Sequence, residues 1–339
     1  MTISVTVRVP AKINLQLAVG PLRPDGYHDL VTVFHAVSLS DEVTVAAVGN
    51  ASAGGSDNGN ASGAKDTDSD ADNVVVSGEG ASEVPADDDN LALRAVRALR
   101  AKTGIPGAVR VSISKSIPVA AGMAGGSADA AGALVACDEL WGTGLSAAEL
   151  SAVAAQLGSD VPFFLQGGTA LGLGRGEEIY PLPSQKVRYA LVVSPGVHSS
   201  TAEAYRGVSE RLTSIPLQNK LQSFQQSLWN YGIRVCMDDN DFEPVVFARH
   251  PGLAKIKARL LRAGATAAAM TGSGSSLFGI FPDAATLERA GQSFRREKAF
   301  PVSFLNAAQY RKAWYRALRN HISPETIEEN LWPPRSVHA

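Results

Sequence analysis

Lys12 and Asn14 stand two residues apart in Pro10-Ala-Lys-Ile-Asn-Leu-Gln-Leu-Ala-Val19, where apolar and polar residues alternate. A period of two puts Ile13, Leu15 and Leu17 on one strand face and Lys12, Asn14 and Gln16 on the other. An ammonium and an amide projecting together can hold an anionic or hydroxylated ligand; the plain alternative is a solvated strand face. Downstream, Arg23-Pro-Asp-Gly-Tyr-His28 is a turn that delivers Tyr27 and His28 side by side. A ring and an imidazole so placed can stack on and hydrogen-bond a flat polar ligand, although each is also an ordinary packed residue. Asp160, in Gly158-Ser-Asp-Val-Pro-Phe-Phe164, is a carboxylate on a connector: a base if a partner stands opposite, otherwise a helix cap.

The stretch that organises the chain is Pro118-Val-Ala-Ala-Gly-Met-Ala-Gly-Gly-Ser127. It follows a strand-like run, Val109 to Ser114, and opens a small-residue helix reaching about Leu140. Gly122, Gly125 and Gly126 allow close approach of backbone to an anion, and Ser127 falls near the helix start, where free N–H groups and the dipole favour phosphate. A glycine-softened turn before a packing helix is the alternative. A second Gly/Ser turn, Thr271-Gly-Ser-Gly-Ser-Ser276, carries Gly272, Ser273 and Gly274 within a predicted hairpin. It is a hairpin turn, or it closes over the same ligand.

The surrounding elements follow from periodicity. Strands are expected at 3–9, then after a proline break at 10–19, and at 30–37, 42–48, 169–174, 189–194, 265–270, 276–281 and 300–304. Helices are expected at 89–100, with Leu91, Ala95, Ala98 and Leu99 along one side, at 253–261, 284–296 and 309–320, and from the capping box Ser146-Ala-Ala-Glu149 to Leu157. Ser200 or Thr201 caps a helix containing Tyr205. Residues 50–72 are Gly, Ser, Ala, Asn and Asp apart from Thr67 and Lys65, the one basic residue, a composition of a flexible hairpin insertion.

A chain of 339 residues, 45% hydrophobic and 19% charged, suggests two domains with sizeable cores. A net charge of −2 and the lack of any Lys/Arg block argue against nucleic acid. Cys137 and Cys236 show no metal-site spacing and fit a reducing compartment. The N-terminus alternates like a strand, without a signal-peptide core, and no run approaches the roughly 18 apolar residues of a membrane span. A cytoplasmic protein is expected.

In order along the chain, Pro10–Leu15, Arg23–His28, the 118–131 loop, Gly158–Phe164 and Thr271–Ser276 resemble the GHMP small-molecule kinases, over residues 10 to about 282. The resemblance implies an α+β, two-domain GHMP kinase fold. Residues 1–182 would form an ATP-binding domain like the second domain of ribosomal protein S5. Residues 183–306 would form a ferredoxin-like substrate domain, and 307–339 an extension without an assigned role. By the same resemblance the backbone of Pro118, Ala120, Ala121, Gly122, Met123, Ala124, Gly125, Gly126 and Ser127 binds ATP. Mg2+ bridges its phosphates, with Ser127 as a protein contact. Asp160 is the general base and Lys12 its partner, holding the carboxylate ionised and facing the developing charge. Asn14 lies near the acceptor. The turn matches the members whose acceptor is a cytidine-diphosphate-linked methylerythritol of isoprenoid precursor synthesis, so Tyr27 stacks on cytosine and His28 hydrogen-bonds it. Thr201 and Tyr205 mark the segment bringing a second aromatic, and Gly272, Ser273 and Gly274 adjoin the substrate. Implied partners are a small molecule, no nucleic acid and no membrane, in a monomer or weak homodimer.

Ala124 stands where many members have a third glycine, a change the loop tolerates if the residue has ordinary dihedrals. Homoserine or mevalonate kinase is the nearest rival, disfavoured because those acceptors carry no base. A non-catalytic nucleotide- or RNA-binding module is the rival from another class. No Walker-type G-x-x-x-x-G-K-[ST] and no H-R-D or D-F-G set occurs.

Overall fold

The computed structural model describes residues 4–48, 71–183, 189–211 and 239–318; most of the 50–72 insertion and the far end of the tail lie outside them. The first strand, β1 (Ser4–Leu22), pairs antiparallel with β2 (His28–Ala47) along nearly its whole length. The expected break at Pro10 is instead a register shift between Pro10 and Lys12, and 30–37 and 42–48 belong to one strand. A proline tolerates a bulge because the ladder there needs no donor from it.

The large sheet runs β3 (Asn73–Gly78), β4 (Val109–Lys115), β2, β1 and β8 (Asp239–Asn240), with β5 (Thr169–Leu173) and β6 (Glu178–Pro181) continuing from β2. Helices α1 (Leu91–Thr103), α2 (Gly125–Trp141), α3 (Ala147–Leu157) and α4 (Val161–Gln166) accompany it, with α2 packed on β1 and β2. Asn90 caps α1 by accepting from Ala92 and Leu93 N–H, and Ala92, Leu93, Ala95, Val96 and Leu99 are its buried residues. Leu91 and Ala98, expected on that side, sit at its margin. The Ser146/Glu149 capping box is present at α3.

The small sheet is antiparallel in the order β11 (Lys298–Ser303), β7 (Tyr189–Ser194), β10 (Leu277–Phe281), β9 (Ala267–Met270), the ferredoxin-like arrangement expected. Helices α5 (Thr201–Arg211), α6 (Glu243–Arg249), α7 (Pro251–Arg262) and α8 (Ala284–Ser293) complete this half. Strands β7, β9 and β10 are apolar at nearly every position because both faces are covered, whereas the edge strand β11 is largely exposed. Ala190, Val192, Ala269, Phe278 and Ile280 join the core of the large half, whereas Leu191, Val193, Ala268, Met270, Leu277 and Phe281 face the local helices.

The chain then returns to the large half. Phe304 bridges Val37, and α9 (Ala307–Leu318) buries Tyr310 and Trp314 in the large core. Tyr310 Oη donates to Phe164 O at 2.7 Å, directly behind α4. The described part of the extension, residues 307–318, is thus a packed element. Gly167 and Gly168 admit it: a Cβ at Gly167 would lie 2.1 Å from the Tyr310 ring. At the other boundary, Asp72 is anchored rather than loose, accepting from Arg100 and from Val109 N–H.

Candidate active site

Two long paired strands and two glycine-rich turns converge on a cleft of about 1260 Å3 between the halves. The register shift beside Lys12 leaves its side chain, 3% exposed, at the bottom of that cleft. Lys12 Nζ donates to Asn14 Oδ1 at 2.7 Å and to Gly122 O at 3.2 Å, and lies 3.5 Å from Asp160 Oδ2. Burial lowers the Lys12 ammonium below the ordinary lysine range, and the Asp160 charge opposes that shift. Asp160, at the N-cap of α4, makes no side-chain cap bond and is 32% exposed toward the cleft. The strand cation and the connector carboxylate therefore meet, although they are remote in sequence.

Asn14 is fixed from both sides. Its Nδ2 donates to Thr32 Oγ1 at 2.8 Å, and its backbone N–H donates to Thr271 Oγ1 at 3.0 Å. Thr271 Oγ1 also lies 3.1 Å from Gly122 O, so the turn of the small half reaches the loop of the large one. Gly122 must be glycine: its φ is +77° and a Cβ would stand 2.1 Å from Thr271 O. Ser276 N–H donates to Ala121 O at 3.2 Å, closing the contact. Asn240 Nδ2 supports the same turn through Met270 O at 2.7 Å and Gly272 O at 2.9 Å. Asn240 was not singled out from sequence, and Thr271 only as the first residue of the second Gly/Ser turn, without a role of its own. Neither sits in a pattern that distinguishes it from an ordinary turn residue.

The predicted cradle Pro118–Ser127 lines the cleft except at Met123, which is buried in the core of the large half instead, and leads into α2, whose N-cap Ala124 supplies no side-chain cap. Open N–H groups of Gly125, Gly126 and Ser127 with a helix dipole behind them suit a phosphate. Ala124 itself departs from expectation: its φ of 54° and ψ of 38° are left-handed, so it carries strain where glycine would carry none. Beneath the loop, Lys115 pairs with both Asp41 and Asp129. One ammonium cannot neutralise two carboxylates, and burial pushes Asp129 upward.

The other end of the cleft is aromatic. His28 stacks on Tyr205 at 5.7 Å and 22°, and Tyr205 meets Phe242 edge-on at 4.9 Å. Burial, and secondarily the charge of Asp160, pushes the Tyr205 phenol up to about 12. Both ring nitrogens of His28 have protein partners: Nδ1–H donates to Gly20 O at 2.7 Å, and Nε2 accepts from Ser209 Oγ at 2.7 Å. A base reading His28 Nε2 must therefore replace Ser209. Tyr27 is 55% exposed, with the Arg175 guanidinium 5.0 Å from its ring centre. Thr201 Oγ1 and Ser273 Oγ lie 2.8 Å apart where α5 meets the second turn, and Ser200 Oγ caps α5 by accepting from Glu203 N–H. Among the described residues no group of His, Cys, Asp and Glu is arranged to hold a metal by itself, and no helix is long and apolar enough to cross a membrane.

This fold and site define a GHMP kinase. Residues 90–168 match the model of the GHMP kinases N terminal domain and 224–299 that of the GHMP kinases C terminal. The chain belongs to this family, being 40% identical over 334 residues to a 4-diphosphocytidyl-2-C-methyl-D-erythritol kinase of Solibacter usitatus (97% of this chain, 96% of that one). A relative of the same name from Salinispora arenicola is 45% identical over 291 residues, covering 84% of this chain and 85% of its own. A crystal structure of 4-(cytidine 5'-diphospho)-2C-methyl-D-erythritol kinase superposes with a TM-score of 0.65 at 30% identity, covering 88% of this chain and 98% of that one. Homoserine kinase from Cytophaga hutchinsonii gives a TM-score of 0.68 at 18% identity, over 90% and 95%. The higher score with the lower identity marks a shared fold and does not bear on the acceptor.

Proposed function

We propose that the protein transfers the γ-phosphate of ATP to the 2-hydroxyl of 4-diphosphocytidyl-2-C-methyl-D-erythritol, in non-mevalonate isoprenoid precursor synthesis. The observation that carries this reading is the Lys12–Asp160 pair, 3.5 Å apart at the floor of a cleft that has a phosphate-type cradle at one end and aromatic rings at the other. The relatives of the same name at 40% and 45% identity support the acceptor.

Phosphoryl transfer is chiefly positioning and charge stabilisation. Asp160 Oδ2 accepts the proton of the acceptor hydroxyl, and its exposure to the cleft leaves room for that hydroxyl. Lys12, gripped by Asn14 and Gly122 O, needs no reorganisation to face the charge that develops. The N–H groups of the 120–127 loop and the start of α2 hold the phosphates of ATP. Bound Mg2+ would neutralise phosphate oxygens while keeping several waters, with Ser127 as its protein contact. Tyr27 and Tyr205 flank the base and Asn14 orients the acceptor.

The test is ATP consumption with 4-diphosphocytidyl-2-C-methyl-D-erythritol, homoserine and mevalonate, for wild type and Asp160→Asn. Selective turnover of the cytidine compound is expected, reduced about a hundredfold or more in the variant. Turnover of homoserine or mevalonate instead would overturn the acceptor, and an active variant would leave Asp160 an ion-pair partner of Lys12 and not the base.

A further inference from the structure

The acceptor proposed above brings a diphosphate into a cleft that must also hold the phosphates of ATP, so a second cationic contact is required, away from the glycine loop. Most cleft cations are already committed. Lys12 is held by Asn14, Gly122 O and Asp160, Lys115 is locked between Asp41 and Asp129, and the imidazole of His28 is bonded through both nitrogens. Arg175 differs. Its Nε donates to Glu177 Oε1 at 3.2 Å, its backbone N–H donates to Glu177 Oε2 at 2.6 Å, and its guanidinium lies over Tyr27. These contacts fix the head group through Nε and one face and leave both terminal nitrogens without a partner among the described residues.

We propose that Arg175 is a specificity-determining residue that takes the diphosphate of the acceptor; this rests on the kinase reading above. A guanidinium held by its own turn presents paired donors suited to phosphate oxygens, and little side-chain freedom remains to be lost on binding. The turn is built for this. Gly174 and Gly176 have φ of +67° and +103°, and Gly174 O accepts from Leu30 N–H at 2.7 Å, tying Arg175 to the strand that follows Tyr27 and His28. Glu177 offsets part of the charge, so the contact depends on the direction of the free N–H groups as well as on net charge. Arg206, also on the cleft, is exposed on α5 and lacks such a support, which makes it the natural control.

The experiment measures inhibition by cytidine, CMP and CDP, and turnover of the full acceptor, for wild type, Arg175→Ala, Arg175→Lys and Arg206→Ala. Arg175→Ala is expected to weaken CDP about tenfold, the ratio of one charge-assisted hydrogen bond, and cytidine less than about threefold. The acceptor KM should rise with CDP while kcat holds, and Arg175→Lys should recover only part of the loss. Equal weakening of cytidine and CDP would reduce Arg175 to a support for Tyr27 and overturn the proposal. A phosphate-dependent loss in Arg206→Ala but not in Arg175→Ala would do the same. Wild type indifferent to every cytidine compound, yet turning over another acceptor, would instead overturn the cytidine-linked acceptor on which the proposal stands.

Discussion

The floor of the cleft and its aromatic end are built on opposite principles. At the floor, Lys12, Asn14, Thr271 and Gly122 bond to one another, largely buried, with their geometry set by strands and interlocking turns. At the mouth, Tyr27 is 55% exposed on a Pro-Asp-Gly turn and is touched by one cation, while His28 and Tyr205 pair beside it. On the proposed function the difference separates two tasks. Chemistry needs donors that do not move when charge develops, whereas recognition of a base needs apolar faces that stay open until the ligand covers them.

The largest effect that would break this division comes from the floor. Lys12→Met should lower kcat by about two to three orders of magnitude with little change in acceptor KM, as for loss of one preorganised donor. Steady-state kinetics beside a thermal melt decide it, and a variant that loses KM rather than kcat would make Lys12 a binding residue. Tyr27→Ala probes the mouth. Its acceptor KM should rise about tenfold at nearly constant kcat, within the range for one lost base–aromatic stack. An unchanged KM would remove the cytosine clamp from this turn. The smallest effect sharpens the account of the glycine loop that lines the same cleft. Ala124→Gly relieves left-handed strain of about 1–2 kcal/mol while adding about 0.4–1 kcal/mol of freedom to the unfolded chain. A net gain below about 1 kcal/mol in urea unfolding is expected, and a loss would show that the Ala124 methyl packs usefully.

Much of the floor was legible because its parts obey local rules. Alternation around Lys12 and Asn14, glycines before a small-residue helix and a carboxylate on a connector each point to one conformation. What joins them was not legible. Thr271 and Asn240 look like any polar turn residues until the turn lands on Gly122, a contact between residues 149 positions apart in sequence. Likewise Ala124 gives no hint of its dihedrals, which are imposed by the strand entering the loop and the helix leaving it. Arg175 lies in a Gly-Arg-Gly turn that by itself points to no role, because the role proposed for it depends on Tyr27 being brought against it. The apolar strands of the small sheet were expected as a separate unit. Their uninterrupted hydrophobic pattern recorded two buried faces, one of which belongs to the large half.

The helix Ala307–Leu318 carries a consequence for how the molecule comes apart. The small sheet is sewn in at both ends: the chain leaves the large half after β6, contributes β8 to the large sheet midway, and returns through Phe304 and Tyr310. Neither half can melt without stripping apolar surface from the other, and Tyr310 pulls on the backbone of the helix that begins beside Asp160. Calorimetry should therefore record a single cooperative transition, and two resolved peaks would show the seam to be weaker than the shared core suggests. A catalytic cleft lying on such a seam reports on the integrity of the whole chain: loss of activity and loss of structure should coincide on heating.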